Sequence, residues 1–247
     1  MQINGKTAII TGASGKLGSA IVSELAGNGC NCICQYHTNV KAEEEIVRKA
    51  QDSGIKAEAV KADLTEPNDL KRLIESSRKW GGAQILINNA AVFERSELKS
   101  ATFQQAERIM KLNFTAPVML SKLFAEQLTD KSANENGVAG KIINIADVGG
   151  IRPWAGYVFY CASKAALISA TETLAKELAG NITVNTVAPG LINIPEEYDK
   201  QETERQLKFI PARRKGKRSD VTSAVRFLIE NDYITGEVIR IDGGRGI

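Results

Sequence analysis

A tyrosine and a lysine stand four residues apart in the segment Tyr-Cys-Ala-Ser-Lys at positions 160–164. On a helix, that spacing places Tyr160 and Lys164 on one face, where the phenol and the ammonium group can meet. The pKa of a free tyrosine is about 10, and a nearby lysine cation favours the phenolate and lowers that pKa. The pair therefore predicts an acid–base catalyst that works near neutral pH. The same spacing occurs by chance on many surface helices, so the surrounding sequence has to support the assignment.

A glycine-rich loop near the amino terminus reads Thr-Gly-Ala-Ser-Gly-Lys-Leu-Gly at positions 11–18. Its glycines allow a tight turn and a close approach of the backbone to a pyrophosphate, and the helix that begins near Lys16 points N–H groups at that anion. A purely structural turn is the alternative, but the position between a strand and a helix favours a dinucleotide site. The predicted cofactor contacts in this loop are Gly12, Ser14, Gly15, Lys16, Leu17 and Gly18.

The second predicted strand ends in Gln-Tyr-His-Thr-Asn at positions 35–39, without an acidic residue. An acidic residue there would bind the ribose 2′-hydroxyl of NAD. Because Lys16 stands near enough to meet a 2′-phosphate instead, the sequence favours NADPH. Tyr36, His37 and Thr38 are assigned to the adenosine side of the site. His37 is equally compatible with an exposed residue that has no role, and its spacing does not indicate a metal ligand.

Short apolar runs alternate with amphipathic stretches along the whole chain. The runs predict strands at 7–10, 30–36, 57–62, 84–88, 141–146, 182–187 and 237–241, and the stretches predict helices at 17–27, 40–53, 66–79, 102–129, 158–180 and 219–230. This alternation predicts an α/β fold in one domain, a doubly wound Rossmann-type sheet of seven parallel strands with helices on both faces.

Three segments interrupt this alternation. Residues 130–140 are polar and are predicted to form a mobile loop, and residues 191–209 are predicted to form a substrate lid over the carboxyl ends of the strands. The basic run at 213–218 is short and has no interleaved aromatic residues, so a solvated face or a partner contact is favoured over a nucleic-acid site.

Composition indicates an ordinary globular protein: 247 residues, 43% hydrophobic and 25% charged, with a net charge of +3. No run approaches the ~18 apolar residues of a membrane span, and no signal segment is evident, so a cytoplasmic protein without a membrane or nucleic-acid partner is expected. Cys30, Cys32 and Cys34 share one face of a predicted strand and are interpreted as buried apolar side chains rather than metal ligands.

Together these motifs resemble the short-chain dehydrogenase/reductase family over nearly the whole chain. The resemblance implies that Asp63 and Leu64 contact the adenine, that Asn89, Ala90 and Ala91 lie against the cofactor, and that Pro189, Gly190 and Leu191 lie beside the nicotinamide. It also implies a catalytic set of Asn113, Tyr160 and Lys164, with Asn113 holding a water that connects Lys164 to solvent. Members of the family usually pair through the helices predicted here at 102–129 and 158–180, so a homodimer or homotetramer is expected.

One position departs from the family. A serine usually stands thirteen residues before the tyrosine and donates a hydrogen bond to a substrate carbonyl, but here that residue is Asp147. An ionised carboxylate cannot donate a hydrogen bond and would repel a developing alkoxide. Aspartate in this register resembles the pteridine reductase branch and the similar dihydromonapterin reductases, as does Phe93, which is expected to stack on a pterin ring. The alternatives are a turn or capping carboxylate for Asp147 and a core or lid aromatic for Phe93.

The expected function is hydride transfer from NADPH to a pterin-like C=N bond, with Asp147, Tyr160 and Phe93 binding the substrate. Tyr160 supplies a proton, and Asp147 orients the substrate and relays a proton. An NADPH-dependent carbonyl reductase, acting on 3-oxoacyl or sugar substrates, is the first alternative. A non-catalytic NADP-binding sensor is the second, and the intact Asn113, Tyr160 and Lys164 argue against it.

Overall fold

A computed structural model describes residues 1–128, 135–194 and 199–247 of the chain. Seven strands are present in these ranges: β1 (Thr7–Ile10), β2 (Asn31–Tyr36), β3 (Ala57–Lys61), β4 (Ile85–Asn88), β5 (Gly140–Ile145), β6 (Ile182–Pro189) and β7 (Val238–Ile241). The helices there are α1 (Lys16–Gly27), α2 (Val40–Gln51), α3 (Pro67–Glu75), α4 (Phe103–Met110), α5 (Ala116–Gln127), α6 (Val158–Glu177), α7 (Lys200–Lys208) and α8 (Arg218–Glu230).

The strands form one parallel sheet in the order β3-β2-β1-β4-β5-β6-β7, which confirms the predicted doubly wound fold. The central strands are buried along their whole length, because helices cover both faces. One apolar cluster packs α1 and α8 onto one face through Leu25 and Leu228. A second packs α3 and α5 onto the other face through Leu73 and Phe124.

The chain order reverses between β1 and β4, which lie side by side at the centre of the sheet. The connections that leave these two strands run toward opposite edges of the sheet, and their carboxyl ends therefore border a crevice. The glycine-rich loop follows β1, and the segment Asn88-Asn89-Ala90 ends and follows β4. The topology alone brings both predicted cofactor segments to this crevice.

The helix predicted at 102–129 is divided in the structure. It begins at Thr102, whose side chain accepts a hydrogen bond from the Gln105 N–H at 3.1 Å, and α4 then leads into a π-helical turn over Lys111–Thr115 before α5. Pro117 has no N–H to donate to the carbonyl of residue 113, so the regular ladder cannot continue through this point. The wider turn carries Asn113, which is fully buried.

The predicted lid contains a helix that the apolar pattern did not reveal. Asp199 caps α7 by accepting a hydrogen bond from the Glu202 N–H at 2.7 Å, and no residue of α7 is buried. Residues 195–198 of this segment and residues 130–134 of the predicted mobile loop lie outside the described ranges. Within the described ranges, no helix has both the length and the apolar character needed to cross a membrane.

Cys32 and Cys34 of β2, and Cys30 just before it, are fully buried in the cluster beneath α1, as the sequence predicted. The Cys30 Sγ lies 3.4 Å from the Lys6 carbonyl, a weak contact. The neighbouring Cys32 and burial raise the pKa of Cys30 well above its usual value. These thiols therefore behave as small apolar side chains that fill the core.

Candidate active site

The glycine-rich loop has room for backbone but not for side chains. A Cβ on Gly18 would lie 2.2 Å from the Gly12 carbonyl oxygen, and a Cβ on Gly12 would lie 2.9 Å from the Ala90 Cα. Gly12 also has a φ of +63°, a conformation that favours glycine. The loop is thus packed backbone to backbone against α1 and the end of β4, and the amino end of α1 faces the crevice.

Gln35 holds this loop in place, a role that the sequence analysis did not assign. Its side-chain oxygen accepts from the Gly12 N–H at 2.8 Å, and its side-chain nitrogen donates to the Ala62 carbonyl at 2.7 Å. Its own carbonyl accepts from the Ala13 N–H at 3.0 Å. A polar residue in the otherwise apolar strand β2 was the available signal, because a buried amide needs partners of this kind.

Thr11 and Asn89 tie the ends of β1 and β4 together. The Thr11 hydroxyl oxygen accepts from the N–H groups of Asn89 and Ala90 at 2.9 and 3.0 Å. The Asn89 side chain donates to the carbonyls of Thr11 and Gly12 at 2.9 and 3.1 Å. Asn89 therefore shapes the glycine loop from the opposite strand, while Ala90 and Ala91 line the crevice.

The predicted adenosine side contains a His37–Asp63 pair, with 3.6 Å between Nε2 and a carboxylate oxygen. Hydrogen bonds from the Thr65 hydroxyl and N–H hold the pKa of Asp63 below its usual value, so the carboxylate is charged. His37, Thr38, Asp63 and Leu64 line the crevice together with Lys16. Tyr36, the remaining residue predicted here, does not line it.

Three of the four catalytic residues predicted from the sequence, Asp147, Tyr160 and Lys164, meet at the carboxyl end of β5. Tyr160 lies on α6, and its hydroxyl donates to Asp147 Oδ2 at 3.0 Å. Asp147 follows β5, and its Oδ1 accepts from the Gly149 N–H at 2.7 Å, which caps a single 3₁₀ turn at Val148–Gly150. Asp147 is therefore both a capping carboxylate and the direct partner of the tyrosine.

The expected lowering of the Tyr160 pKa is wrong for this structure. Burial, followed by the charge and the hydrogen bond of Asp147, raises the pKa of Tyr160 well above its usual value. Burial also raises the pKa of the Asp147 carboxyl, although the Gly149 N–H and Lys164 partly offset this effect. The i, i+4 spacing indicated only the effect of Lys164. Asp147, thirteen residues before the tyrosine, contacts the Tyr160 phenol directly and stabilises its protonated form.

Lys164 is buried behind the tyrosine. Its ammonium nitrogen donates to the Ile145 carbonyl at 2.8 Å and lies 5.9 Å from the centre of the Tyr160 ring. Burial lowers the pKa of Lys164 to about 8, and the charge of Asp147 opposes that shift. A lysine of this kind changes charge just above neutral pH, in the range where an acid–base site is useful.

Asn113 contacts the strand ends rather than the lysine. Its side-chain oxygen accepts from the Val92 N–H at 2.9 Å, and its side-chain nitrogen donates to the Val92 carbonyl at 3.0 Å and to the Ser163 hydroxyl at 3.1 Å. The side-chain amide thereby joins the segment after β4 to α6. Asn113 does not line the crevice.

Three aromatic side chains form a row beside the tyrosine. The half-exposed Phe93 meets Tyr160 edge to face with ring centres 4.8 Å apart, and it stacks on Tyr157 at 4.9 Å with 17° between the ring planes. Trp154 meets Tyr157 edge to face at 6.1 Å. Phe93 was predicted to lie here, whereas the other two were not, because their distance from Phe93 in sequence hides the contact.

These groups line one crevice of about 2110 Å³, well above the ~300–1,000 Å³ of an ordinary small-molecule pocket. It extends from the glycine loop to Pro189, Gly190 and Leu191 at the end of β6, and α7 borders it through Glu202 and Gln206. The side-chain-free backbone cradle and the length of the crevice fit an extended dinucleotide with a second molecule beside it. The fold and site together define an oxidoreductase that uses a nicotinamide dinucleotide.

The chain belongs to the short-chain dehydrogenase family, whose profile, described as "short chain dehydrogenase", matches residues 6–205. It is 31% identical over 247 residues to a protein of Synechocystis sp. named 3-oxoacyl-(acyl-carrier-protein) reductase, covering 98% of this chain and 97% of that one. This membership makes the protein an NAD(P)-dependent oxidoreductase.

Two solved structures are similar along their whole length. One is described as FolM alternative dihydrofolate reductase 1 from Brucella suis in complex with NADP, at a TM-score of 0.90 and 30% identity, covering 100% of this chain and 96% of that chain. The other is described as a blue fluorescent protein from a metagenomic library in complex with NADPH, at a TM-score of 0.89 and 30% identity, with 100% of both chains covered. The fold similarity therefore includes chains of different described activity.

Proposed function

We propose that the protein reduces a pterin-like C=N bond with NADPH, on a substrate such as a dihydropteridine or dihydromonapterin. The observation that carries this proposal is the Asp147 carboxylate at 3.0 Å from the Tyr160 hydroxyl. The carboxylate accepts a hydrogen bond from that hydroxyl. A ketone oxygen would therefore compete with Asp147 for the hydroxyl, which is the proton donor of the Asp147–Tyr160 pair. A substrate that brings its own N–H and amino donors satisfies both oxygens of the carboxylate without that competition.

The aromatic row supports a flat substrate. Phe93 is half-exposed and its ring centre lies 4.8 Å from that of Tyr160, so a planar ring stacked on Phe93 would lie close to the phenol. Stacking of a heteroaromatic ring on a phenylalanine that is already fixed by Tyr157 costs little ordering of the protein. The similarity to the Brucella suis structure points the same way, because dihydrofolate contains a dihydropterin ring.

NADPH is the proposed cofactor, with Gly12, Ser14, Gly15 and Gly18 around its pyrophosphate. When bound, the reduced nicotinamide supplies the hydride. The exposed Lys16 lines the same crevice as His37 and Thr38, so a 2′-phosphate on the adenosine side could meet a cation there. The similar structures described in complex with NADP and NADPH support this choice.

In this proposal Tyr160 donates a proton to the ring nitrogen of the substrate, because its raised pKa keeps it protonated at neutral pH. Lys164 stabilises the phenolate that results, and Asp147 orients the substrate and relays the replacement proton. A water held by Asn113 would bind the backbone carbonyl of that residue, since its side-chain amide is already bonded to Val92 and Ser163. Pro117, four residues on, has no N–H to occupy that carbonyl.

A carbonyl reductase that acts on 3-oxoacyl substrates is the second candidate. The observation that favours it is the similarity to the Synechocystis protein named a 3-oxoacyl-(acyl-carrier-protein) reductase. The crevice is wide enough for an acyl chain beside the cofactor. In this case a protonated Asp147 would act as a hydrogen-bond donor in place of the usual serine, a state that its raised pKa makes more accessible.

The purified protein with NADPH, tested on dihydrobiopterin and dihydromonapterin beside a panel of 3-oxoacyl and sugar ketones, separates these candidates. The proposal predicts oxidation of NADPH with the pterins and at least about tenfold lower kcat/KM with every ketone. Efficient reduction of a 3-oxoacyl thioester without pterin reduction would reverse the order of the two candidates. NADPH binding without turnover of either class would favour the sensor.

The variant Asp147→Ser tests the residue that carries the proposal. Serine restores a hydrogen-bond donor, so pterin reduction should fall by about tenfold or more while ketone reduction rises. Ser163→Ala, which removes a hydroxyl buried beside Asn113, is a control for general disturbance of α6. Unchanged pterin rates in Asp147→Ser would mean that the carboxylate only caps the turn.

Assembly as a homodimer or homotetramer and closure of residues 191–209 over the substrate are further parts of the proposal. The strongly exposed Phe103 on α4 and the partly exposed Met119 on α5 support assembly through these helices. Light scattering on the wild type and on Phe103→Glu measures it, with a smaller particle expected for the variant.

A further inference from the structure

Five arginines line the crevice in addition to the catalytic lysine: Arg95, Arg108, Arg152, Arg205 and Arg245. Three of them pair with a glutamate, namely Arg95 with Glu97, Arg108 with Glu94 and Arg205 with Glu202. Within the described residues, Arg152 and Arg245 form no ion pair. Two of the five arginines thus have no ion pair with a carboxylate among the described residues, and neither has a role in the hydride chemistry.

The hydrogen bonds of Arg152 and Arg245 are to neutral acceptors. Arg152 Nε donates to the Gly246 carbonyl at 3.1 Å, and an Nη of Arg245 donates to the Gln206 side-chain oxygen at 2.6 Å. These contacts position the guanidinium groups without cancelling their charge. A guanidinium has five N–H donors in a planar fork, so most donors of each group remain for a ligand.

Arg245 lies at the far end of the aromatic row. Its guanidinium carbon is 5.4 Å from the centre of the Trp154 ring, and Trp154 leads through Tyr157 to Phe93. Because Phe93 and Arg245 line the same crevice, a substituent on a substrate ring bound there can extend toward the arginine. Burial raises the pKa of Asp147, and the charge of Arg245 is among the weaker influences that oppose this shift.

We infer that the substrate carries an anionic substituent, a carboxylate or a phosphate, which the guanidinium groups of Arg245 and Arg152 bind beside Trp154. This inference rests on the proposed function for the ring, but the anion site itself depends only on the two arginines and the crevice. Guanidinium forks match both anions in geometry and form bidentate hydrogen bonds with them. Without a cation there, an anionic group near Asp147 would be repelled.

A binding experiment with three oxidised pterins tests this site on the protein saturated with NADP⁺. The probes are 6-hydroxymethylpterin, which is neutral, its phosphate ester and pterin-6-carboxylate. The wild type should bind at least one anionic probe about tenfold or more tighter than the neutral one, and the stronger of the two identifies the anion. Arg245→Gln should remove this preference and leave the affinity for the neutral probe within about twofold.

Three further variants make the result specific. Arg245→Lys keeps the charge but loses the fork and should retain part of the preference. Arg152→Gln should weaken it as well. Lys215→Gln removes one positive charge from an exposed residue outside the crevice and should leave the preference intact. If Arg245→Gln weakens neutral and anionic probes equally, the arginine is only structural and the inference is wrong.

A second pair of ligands, acetoacetate and its ethyl ester, distinguishes failure of the inference from failure of the proposed function. If the pterins neither bind nor react but acetoacetate is preferred to the ester in an Arg245-dependent manner, the pterin proposal fails and the anion site stands. If the pterins react without any preference for charge, the proposed function stands and the anion site does not. No charge preference in either pair overturns the inference.

Discussion

Two buried lysines lie at opposite ends of strand β5, and their surroundings differ: Lys141 is part of the strand, and Lys164 contacts it from α6. At its carboxyl end, the Ile145 carbonyl accepts a hydrogen bond from Lys164 at 2.8 Å, and Asp147, whose charge influences the pKa of this lysine, bonds to Tyr160 instead. At its amino end, Lys141 is fully buried and pairs with Asp232 at 2.8 Å. Among the described residues, the lysine at the carboxyl end of β5 thus has no direct carboxylate partner, whereas the lysine at the amino end is paired with one.

The two ends differ in how the cost of burying a charge is met. Burial lowers the pKa of Lys141, but the hydrogen bond that Lys141 donates to Asp232 opposes the shift, and the Asn231 carbonyl accepts a second hydrogen bond from Lys141 at 2.6 Å. Burial alone would raise the pKa of Asp232, yet the hydrogen bonds from Lys141, the Met1 ammonium group and Asn136 together outweigh it and hold that pKa below the usual range. Lys164 has no such direct partner among the described residues, so its pKa falls to about 8. Direct pairing with a carboxylate favours the protonated lysine, whereas a contact with a neutral carbonyl compensates less for burial and lets the lysine lose its proton more readily.

The largest effect is expected at Tyr160, the residue proposed to donate a proton to the substrate. Tyr160→Phe removes the proton donor but keeps the ring, so turnover should fall by about 10²- to 10⁴-fold while NADPH binding persists. Steady-state kinetics and fluorescence titration of NADPH measure the two quantities. Tyr233→Phe, at a fully exposed tyrosine beside Asp232, is the matched control and should turn over normally. Retained turnover in Tyr160→Phe would remove the phenol from its assigned role.

A matched pair of lysine variants tests the contrast between the ends directly. Lys141→Met leaves Asp232 without its buried partner, so the free energy of unfolding should fall by about 3 kcal/mol. The α-amino nitrogen of Met1, 2.6 Å from the same carboxylate, remains as a second partner. Lys164→Met should change that free energy by no more than about 1 kcal/mol, because relief of an uncompensated buried charge offsets the lost bond to Ile145.

Turnover should show the reverse order in the same two proteins. Lys164→Met should lose about 10²-fold or more in kcat, and Lys141→Met should retain the wild-type kcat below its melting range. Urea unfolding and steady-state kinetics supply both readouts. If both variants lose stability equally, the two ends of β5 do not differ in the way their charges are compensated.

The pH dependence separates the two lysines further. Lys164 is charged below its pKa of about 8 and neutral above it, so kcat/KM for reduction should decline as the pH rises through about 8. The same group opposes folding below pH 8, since its pKa in the folded chain is below the usual lysine value of 10.5, and this penalty is relieved as the pH rises from about 8 to 10.5. Lys141→Met should keep the alkaline limb of the kinetic profile, and the residual activity of Lys164→Met should lack it.

The contrast also shows what could be read from the sequence. Alternation of apolar runs and amphipathic helices predicted all seven strands, because a strand covered on both faces must be apolar throughout. The i, i+4 spacing placed Tyr160 and Lys164 together for the same local reason. The raised pKa of Tyr160 could not be predicted from that spacing, because it depends on burial and on the orientation of Asp147.

Contacts between distant segments set the other limit. Gln35 supports a loop more than twenty residues earlier in the sequence. Arg245 follows the last strand but contacts Trp154, which precedes α6. Lys141 reads in sequence as an ordinary strand residue, and its partner Asp232 is ninety-one positions away. None of these pairs leaves a local pattern, since only the folded sheet brings the members together.

The smallest effect is expected at a third lysine, which sharpens the contrast because it is exposed. Lys16 lies on the glycine loop at the rim of the crevice, where solvent screens its charge. Lys16→Ala should therefore reduce the preference for NADPH over NADH by only about fivefold, through a higher KM for NADPH and an unchanged KM for NADH. The preference of the wild type should also decline as salt is raised, whereas the effects at Lys164 and Lys141 should not. An unaltered NADPH to NADH ratio in Lys16→Ala would assign the 2′-phosphate to other groups of the crevice, and His37, which also lines it, would be examined next.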